Sequence, residues 1–153
     1  MKCLVAELST VEDLDFYYTI GDKLKKREMP KRFSPSKRFH FILDAFNCNK
    51  ALLSDKAFLT DLIKKIAKLI KMKIVKGPVA VQGIPANPGY SVFAIIDFSH
   101  ISIHTFTDSN EFCLDVFSCK PFDYKKVESF IKKIFQLKNK QILKSTVKYD
   151  KIR

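Results

Sequence analysis

The chain has 153 residues, 46% of them hydrophobic, and a formal net charge of +12, which is the size and composition of one folded domain with at most a small appendage. It has no run of about 18 apolar residues, so no membrane span is expected, and its amino terminus turns acidic too early for a secretory signal, so we expect a cytoplasmic protein. None of the four cysteines forms a CxxC pair, and we expect free thiols, three of them in the core and Cys119 with a separate role.

The positive charge comes from lysines that recur along helix-like segments such as KKIAKLIK and near the chain ends. This distribution is typical of a solvated surface. No helix-turn-helix, zinc-finger or RNP motif accompanies it, so nucleic acid is not the expected partner. If nucleic acid were the partner, added salt would abolish binding.

The first 38 residues are predicted to form an extension that precedes the main domain. A short strand is predicted at 1–8 and a helix at 10–26. The segment REMPKRFSPSKR at 27–38 is typical of a linker because it combines prolines, serines and basic residues. The main domain is then expected to span residues 39–153.

The main domain is predicted to contain one strand, a helix, four strands, a second helix and a last strand. Hydrophobic residues at three- and four-residue spacing predict amphipathic helices that begin near Ser54-Asp55 and near Asp123. Short strand-like runs with brief breaks predict an antiparallel meander. The strands are predicted at 39–46, 72–81, 90–96, 99–106, 111–119 and 141–149. The predicted fold class is α+β, a two-layer sandwich of an antiparallel sheet with helices on one face.

Two of the three histidines lie in the segment SHISIHTF at 99–106, where polar and β-branched residues alternate as in a strand. On a strand, His100, Ser102 and His104 share one face, and the isoleucines between them share the other. Histidines four residues apart on a strand are about 13 Å apart, too far to bind one ion, so no metal site is expected. From the pattern alone, these histidines are also consistent with ordinary polar positions of a strand.

The segment SHISIHTF, followed by LDVFSC, resembles the prokaryotic S-adenosylmethionine decarboxylase family, whose signature is ESHISIHTWPE followed by an IDxFTC-like strand. FHFILDAFNCN at 39–49 is similar to the first strand of that family. The resemblance covers roughly residues 38–137 and leaves the first 37 residues and the tail outside it. It implies a homodimer of processed chains.

The resemblance also implies a self-processing enzyme whose cofactor is a pyruvoyl group derived from Ser99, without a metal. The Ser99 hydroxyl would attack the carbonyl of Phe98, and β-elimination from the resulting ester would cleave the chain between residues 98 and 99. His104 matches the base of the elimination, with His100 as the next candidate.

Two further residues match the family pattern. Ser91 corresponds to a serine that assists processing, and Cys119 to the proton donor of the decarboxylation. The pyruvoyl group would bind the substrate amine as a Schiff base and accept the electrons that are released with CO₂. The residue types suit this chemistry, because serine is a nucleophile when a base is near and histidine transfers protons near neutral pH.

Three departures from the family pattern bear on the substrate. Phe98 stands where the family has Glu, and the family's WPE is Phe106-Thr107-Asp108 here. The family's FHRFxPxG loop, whose aromatic ring stacks on adenine, is VQGIPANPG at 81–89, with Pro85 at the corresponding position. The candidate substrate-binding residues are Phe106, Asp108, Asp97 and Asp44, with Asp115 as a further acidic partner for a cation.

The first hypothesis is a decarboxylase of polyamine and spermidine biosynthesis whose small-molecule substrate is S-adenosylmethionine. L-arginine and L-ornithine remain alternative substrates, because members of the family act on them. A second alternative, motivated by Phe98, is a processing-dead homologue that acts as a binding or regulatory subunit. Cleavage distinguishes these classes, since an active enzyme must become two chains.

Overall fold

The structure is a computed structural model that describes residues 37–147 and Tyr149. The strand and the helix predicted within the first 26 residues, and most of the predicted linker, lie outside the described residues. No helix in the described part of the chain is long and apolar enough to cross a membrane.

Six strands and three helices form the described domain, with a 3₁₀ turn at Asn139–Gln141. The strands are β1 (Phe39–Ala45), β2 (Ile74–Gln82), β3 (Tyr90–Ile96), β4 (Ser99–Phe106), β5 (Glu111–Ser118) and β6 (Ile142–Val147). The helices are α1 (Lys50–Leu53), α2 (Lys56–Leu69) and α3 (Tyr124–Phe135). Helix α1 was not predicted from the sequence, because four residues are too few to show a helical period.

The two longer helices begin where the sequence predicts. The side chain of Asp55 accepts a 2.9 Å hydrogen bond from the N–H of Phe58 at the start of α2. The side chain of Asp123 accepts one of 3.2 Å from the N–H of Lys126 at the start of α3. Each carboxylate satisfies a backbone donor that the helix itself leaves free, which fixes the first turn.

All six strands belong to one antiparallel sheet in the order β2-β3-β4-β5-β1-β6. Strands β2 to β5 form the predicted meander, and β1 lies between β5 and the edge strand β6. The pairing of β2 with β3 shifts register around Gly77-Pro78. The predicted α+β sandwich is confirmed.

The hydrophobic core lies between the helices and one face of the sheet. Each fully buried Leu or Ile contributes about 2 kcal/mol from its removal from water. The fully buried core residues include Leu59, Leu62, Ile63 and Ile66 of α2, Ile131 of α3, and Leu43, Val92, Ile101, Ile103, Leu114 and Val116 of the strands. The opposite face carries no helix among the described residues, and we call it the open face. Because side chains alternate along a strand, the open face carries the histidines of β1 and β4.

Glu128 joins α3 to the edge strand β6. Its carboxylate oxygens lie 2.5 Å from the Nζ atoms of Lys132 and Lys144, and its side chain is only 9% exposed. The hydrogen bonds from Lys132 and Lys144 lower the pKa of Glu128 and outweigh the opposing effect of burial. The salt bridge to Lys144 therefore connects the helical layer to the sheet at the edge strand β6.

Candidate active site

The predicted cleavage site lies where β3 turns into β4. Phe98 is in this turn with 42% of its surface exposed, and Ser99 begins β4 with a φ of +147°. Residues other than glycine rarely adopt such a φ, and holding one costs about 1–3 kcal/mol. Backbone strain is thus stored directly beside the peptide bond that the family resemblance marks for cleavage.

The carbonyl group of that peptide bond has a specific donor. The oxygen of Phe98 accepts a 2.9 Å hydrogen bond from the N–H of Cys119. The buried hydroxyl of Ser118 fixes the turn that presents this donor, because it accepts from the N–H of Lys120 (2.9 Å) and donates to the Lys120 carbonyl (2.8 Å). The N–H of Cys119 therefore lies where negative charge would develop if Ser99 attacked the carbonyl carbon.

The histidine beside Ser99 is His100. Its Nδ1 lies 3.4 Å from the Ser99 Oγ, and its Nε2 lies 3.6 Å from Oδ1 of Asp115. The imidazole is stacked between the rings of Phe93 and Phe117, with centroid distances of 5.4 and 5.5 Å. Neighbouring strands on both sides therefore hold the plane of this ring.

Asp115 lies between two histidines on the open face. Its Oδ2 is 2.5 Å from Nε2 of His40, and Nδ1 of His40 is 2.8 Å from the hydroxyl of Tyr149. Its Oδ1 is shielded from solvent and has no hydrogen-bond partner within the usual distance. We call Phe98, Ser99, His100, Asp115, His40 and Cys119 the cleavage cluster.

His40 was not predicted to be a functional residue, and Asp115 was predicted only as one of several acidic residues. The alternation of β1 places His40 on the same face as Asp44, which was the available signal. Its contact with Asp115 depends on the pairing of β1 with β5 across 75 residues, which no local pattern reveals.

A second group, the His104 cluster, lies toward the other end of β4 and consists of His104, Ser91, Cys113 and Asp44. Nδ1 of His104 is 2.8 Å from the hydroxyl of Ser91. Cys113 pairs with His104 and with Asp44 across the neighbouring strands. Burial, with a hydrogen bond to Asp44 as the next cause, raises the pKa of Cys113 to about 11.

The cysteines only partly follow the prediction. Cys48 is buried as predicted, and burial raises its pKa to about 11. The prediction of a core position for Cys113 was wrong, because its side chain is half-buried on the open face rather than under the helices. Cys119 is exposed, which suits the separate role that the sequence analysis gave it. Cys3 lies outside the described residues.

The two clusters are far apart within one chain. His104 follows Ser99 by five residues on a continuous strand, which corresponds to about 16 Å at the usual rise per residue. The structure thus brings Ser91 to His104, and Cys119 to Phe98. It does not bring His104 to Ser99 of the same chain.

Two predicted substrate residues lie beyond His104 at the same end of the sheet. Phe106 ends β4, and Asp108 follows in an exposed turn, 3.8 Å from Nζ of Lys50. The N–H of Thr107 donates to the carbonyl of Pro88 at 3.0 Å, so the loop that replaces the family's aromatic segment lies beside these residues. They are remote from Ser99 of their own chain.

Asp97 lies at the cleavage end of the sheet, in the turn before Phe98. Its carboxylate accepts a 3.1 Å hydrogen bond from the N–H of Lys73, so it already has a structural partner. In residues 37–147 and Tyr149, no three His, Cys, Asp or Glu side chains are arranged to bind a metal ion.

Comparison with known proteins identifies the family. Residues 39–146 match the family model described as S-adenosylmethionine decarboxylase. The chain belongs to this family. The predicted family and the predicted class of enzyme, a pyruvoyl-dependent decarboxylase, are thereby confirmed.

Relatives and a solved structure agree with this assignment. The S-adenosylmethionine decarboxylase proenzyme of Clostridium botulinum (strain Langeland) is 32% identical over 106 residues, which cover 68% of this chain and 88% of the relative. The proenzyme of Pyrobaculum islandicum is 30% identical over 105 residues, covering 60% of this chain and 82% of the relative. The crystal structure of the adenosylmethionine decarboxylase from Aquifex aeolicus matches with a TM-score of 0.65 at 18% identity, over 77% of this chain and 94% of that one. The shared fold is an α+β sandwich.

Proposed function

We propose that the chain is a proenzyme that cleaves itself between Phe98 and Ser99 and then decarboxylates S-adenosylmethionine in polyamine biosynthesis. The observation that carries this proposal is the hydrogen bond from the N–H of Cys119 to the Phe98 carbonyl, next to the strained backbone of Ser99. The nucleophile, the strained backbone and the charge-stabilising donor are the parts used in the first step of pyruvoyl formation from Ser99.

Cleavage begins with attack of the Ser99 hydroxyl on the carbonyl carbon of Phe98. The C–N bond then breaks, and the acyl group is left on the serine oxygen as an ester. The Cys119 N–H stabilises the negative charge on the carbonyl oxygen during this transfer. The side chain of Phe98 takes no part, so its replacement of the family's Glu does not block the step.

Elimination from the ester requires a base at Cα of Ser99, and His104 is the proposed one, assisted by Ser91. Because His104 lies about 16 Å along the strand from Ser99 of its own chain, we propose that a second copy supplies it. Two open faces packed about a two-fold axis, with the β4 strands antiparallel, would bring the partner subunit's His104 to the end of β4 that carries Ser99.

The open face suits such a homodimer because it exposes apolar side chains that a second sheet would cover. These are 37–63% exposed and comprise Val79, Val81, Phe93, Ile95, Leu143 and Val147. Each mature site would then combine the cleavage cluster of one chain with the His104 cluster of the other.

When formed, the pyruvoyl group supplies a carbonyl that binds the substrate's α-amine and takes up the electrons released with CO₂. The Cys119 thiol follows Ser118, the residue paired with Ser99, and it returns a proton to the substrate carbon. A reducing cytoplasm would keep this thiol free. Phe106, Asp108 and Asp44 are the proposed substrate contacts, since they lie on or beside the His104 cluster, whereas Asp97 lies at the cleavage end.

The loop at 81–89 is the reason to test further substrates. It presents Pro85 and an exposed Ile84 rather than an aromatic ring that stacks on adenine. Asp44 lies half-buried in the His104 cluster, where its carboxylate can pair with a terminal cation. L-arginine and L-ornithine are therefore the second candidate substrates.

The intact mass of the purified protein under denaturing conditions tests the proposal. Cleavage of the 17.7 kDa chain predicts pieces of about 11 and about 6 kDa from mean residue mass, with no normal amino terminus on the smaller. Ser99→Ala leaves one intact chain, whereas Ser102→Ala on the same strand cleaves as the wild type does. CO₂ release from the three substrates then assigns specificity. A wild-type chain that stays intact on prolonged incubation refutes the proposal and favours a binding or regulatory subunit.

A further inference from the structure

We propose that His100, oriented by Asp115 and His40, is the base that takes the proton from the Ser99 hydroxyl in the first step of self-cleavage. The inference rests on the proposed self-processing and assigns its first step to one imidazole and the later elimination to another. It gives His100, Asp115 and His40 specific roles in that first step.

The hydrogen bonds around Asp115 indicate which nitrogen of His100 is free to accept a proton. A carboxylate oxygen accepts hydrogen bonds, so Nε2 of His40, which lies 2.5 Å from Oδ2 of Asp115, carries a proton, and Nδ1 of His40 lies 2.8 Å from the Tyr149 hydroxyl. Oδ1 of Asp115 is buried without a partner, and Nε2 of His100 is the donor that faces it at 3.6 Å. A proton on that nitrogen leaves the lone pair of Nδ1 directed at Ser99.

The packing of the His100 ring keeps this orientation. The ring planes of Phe93 and Phe117 are inclined to it by only 27° and 28°, so the imidazole lies in a slot and moves most easily within its own plane. The contacts of 3.4 Å to Ser99 and 3.6 Å to Asp115 are longer than catalytic hydrogen bonds, which often tighten only as the reaction proceeds. The imidazolium that forms is stabilised by the Asp115 carboxylate and by two aromatic faces.

The step is an isomerisation that balances within the chain. The Oγ proton of Ser99 moves to Nδ1 of His100, the bond from Oγ to the Phe98 carbonyl carbon forms, and the bond from that carbon to the Ser99 nitrogen breaks. The imidazolium returns the proton to this nitrogen, which leaves as an amine. His100 is the catalytic residue, and Asp115 and His40 are positioning residues that stay outside the bond changes.

His104 of the same chain does not suit this first step, because it lies about 16 Å from Ser99 along β4, and its Nδ1 is engaged with Ser91 at 2.8 Å. The partner subunit's His104, which the proposed dimer would bring to Ser99, is distinguished from His100 by the ester that His104→Ala should accumulate. Within the described residues of one chain, His100 is the imidazole within reach of the Ser99 hydroxyl. The two histidines of the motif would thus act in succession, His100 before ester formation and His104 after it.

Hydroxylamine distinguishes a chain that has completed the first step from one that has not, because it cleaves an ester near neutral pH but leaves an amide intact. Purified variants are incubated with and without hydroxylamine, and their intact masses are followed over time. His104→Ala should accumulate the ester, so hydroxylamine releases the two pieces. His100→Ala should remain an amide that hydroxylamine does not cleave, with the first step slowed about 100-fold or more. Added imidazole should restore its cleavage by entering the slot between Phe93 and Phe117.

Matched variants test the positioning residues. Asp115→Asn should slow the first step about tenfold or more because the amide no longer fixes the tautomer of His100. Glu111→Gln, which changes a carboxylate on the same strand and face, should stay within about twofold of the wild type. His40→Gln keeps a donor to Asp115 and should retain cleavage, whereas His40→Ala should be slow.

Several outcomes would overturn the inference while leaving the proposed function intact. His100→Ala could cleave at the wild-type rate, or it could yield an ester that hydroxylamine releases. Normal cleavage by His100→Gln, which fills the slot but cannot act as a base, would make the ring merely structural. Equal rates for Asp115→Asn and Glu111→Gln would remove the positioning role. A wild-type chain that never cleaves refutes the proposed function itself, and the inference with it.

Discussion

Two variants that are inactive alone should complement each other if each site takes Ser99 from one chain and His104 from the other. In a mixed pair of Ser99→Ala and His104→Ala chains, one site retains both the serine and the partner subunit's His104. The other site has lost both. Only the His104→Ala chain of that pair should therefore be cleaved, even though it carries the defective base.

The expected yield follows from random pairing. An equimolar mixture that is refolded or co-expressed places about half of the His104→Ala chains in mixed pairs of a two-fold dimer. About half of all His104→Ala chains should thus appear as two pieces, and the Ser99→Ala chains should all stay intact. Tags of different mass on the two variants allow both populations to be followed in one mass spectrum.

The control replaces Ser99→Ala with the double variant Ser99→Ala, His104→Ala, which leaves no site with both residues and should abolish the cleavage. The reasoning is refuted if mixed pairs are recovered through both tags and the His104→Ala chain in them stays uncleaved under conditions in which the wild type cleaves. In that case the separation of about 16 Å within one chain would have to close by movement of β4 rather than by dimerisation.

Two further predictions concern stability and thiol reactivity. Glu128→Gln should lower the free energy of unfolding at pH 7 by about 2 kcal/mol, since a buried carboxylate with two lysine partners is lost. Because the folded-state pKa of Glu128 is lowered from 4.5, its contribution is present above pH 4.5 and is lost as the pH falls through the folded-state value, so urea melts of variant and wild type should converge in acid. Alkylation at pH 8 should modify the exposed Cys119 before Cys48 and Cys113, whose pKa values are raised to about 11; peptide mapping after iodoacetamide checks this order, and equal labelling of Cys113 would contradict its burial.

Local periodicity was enough to predict most elements of the fold. The alternation in SHISIHTF placed the histidines of β4 on one face, and the register of β4 with its neighbours confirms this. Aspartates at the helix starts gave the amino termini of α2 and α3. The insertion of β1 between β5 and β6 was not predictable, because the partner of an isolated strand is set by packing across the whole domain rather than by its own residues.

The residues of the family motif in the candidate site were predictable from the sequence, whereas contacts between distant strands were not. Ser91 and His104 were both named from the family motif, and they form a hydrogen bond across adjacent strands. The link from Asp115 to His40 joins strands that are distant in sequence, and the donor to the Phe98 carbonyl is a backbone group. Neither contact leaves a signature in residue types, so both are recognisable only in the folded structure.

The positions that depart from the family pattern separate the two parts of the proposed chemistry. At the proposed cleavage site a backbone N–H bonds the Phe98 carbonyl and His100 lies beside the Ser99 hydroxyl, and the substitution at Phe98 alters none of these groups. The altered loop at 81–89 lies instead beside Thr107, beyond the far end of β4. Apart from Phe98, whose side chain takes no part in the proposed step, the departures fall on the proposed substrate-side residues. They therefore favour altered substrate contacts over loss of self-cleavage, and a change of substrate requires no change in how the chain would mature.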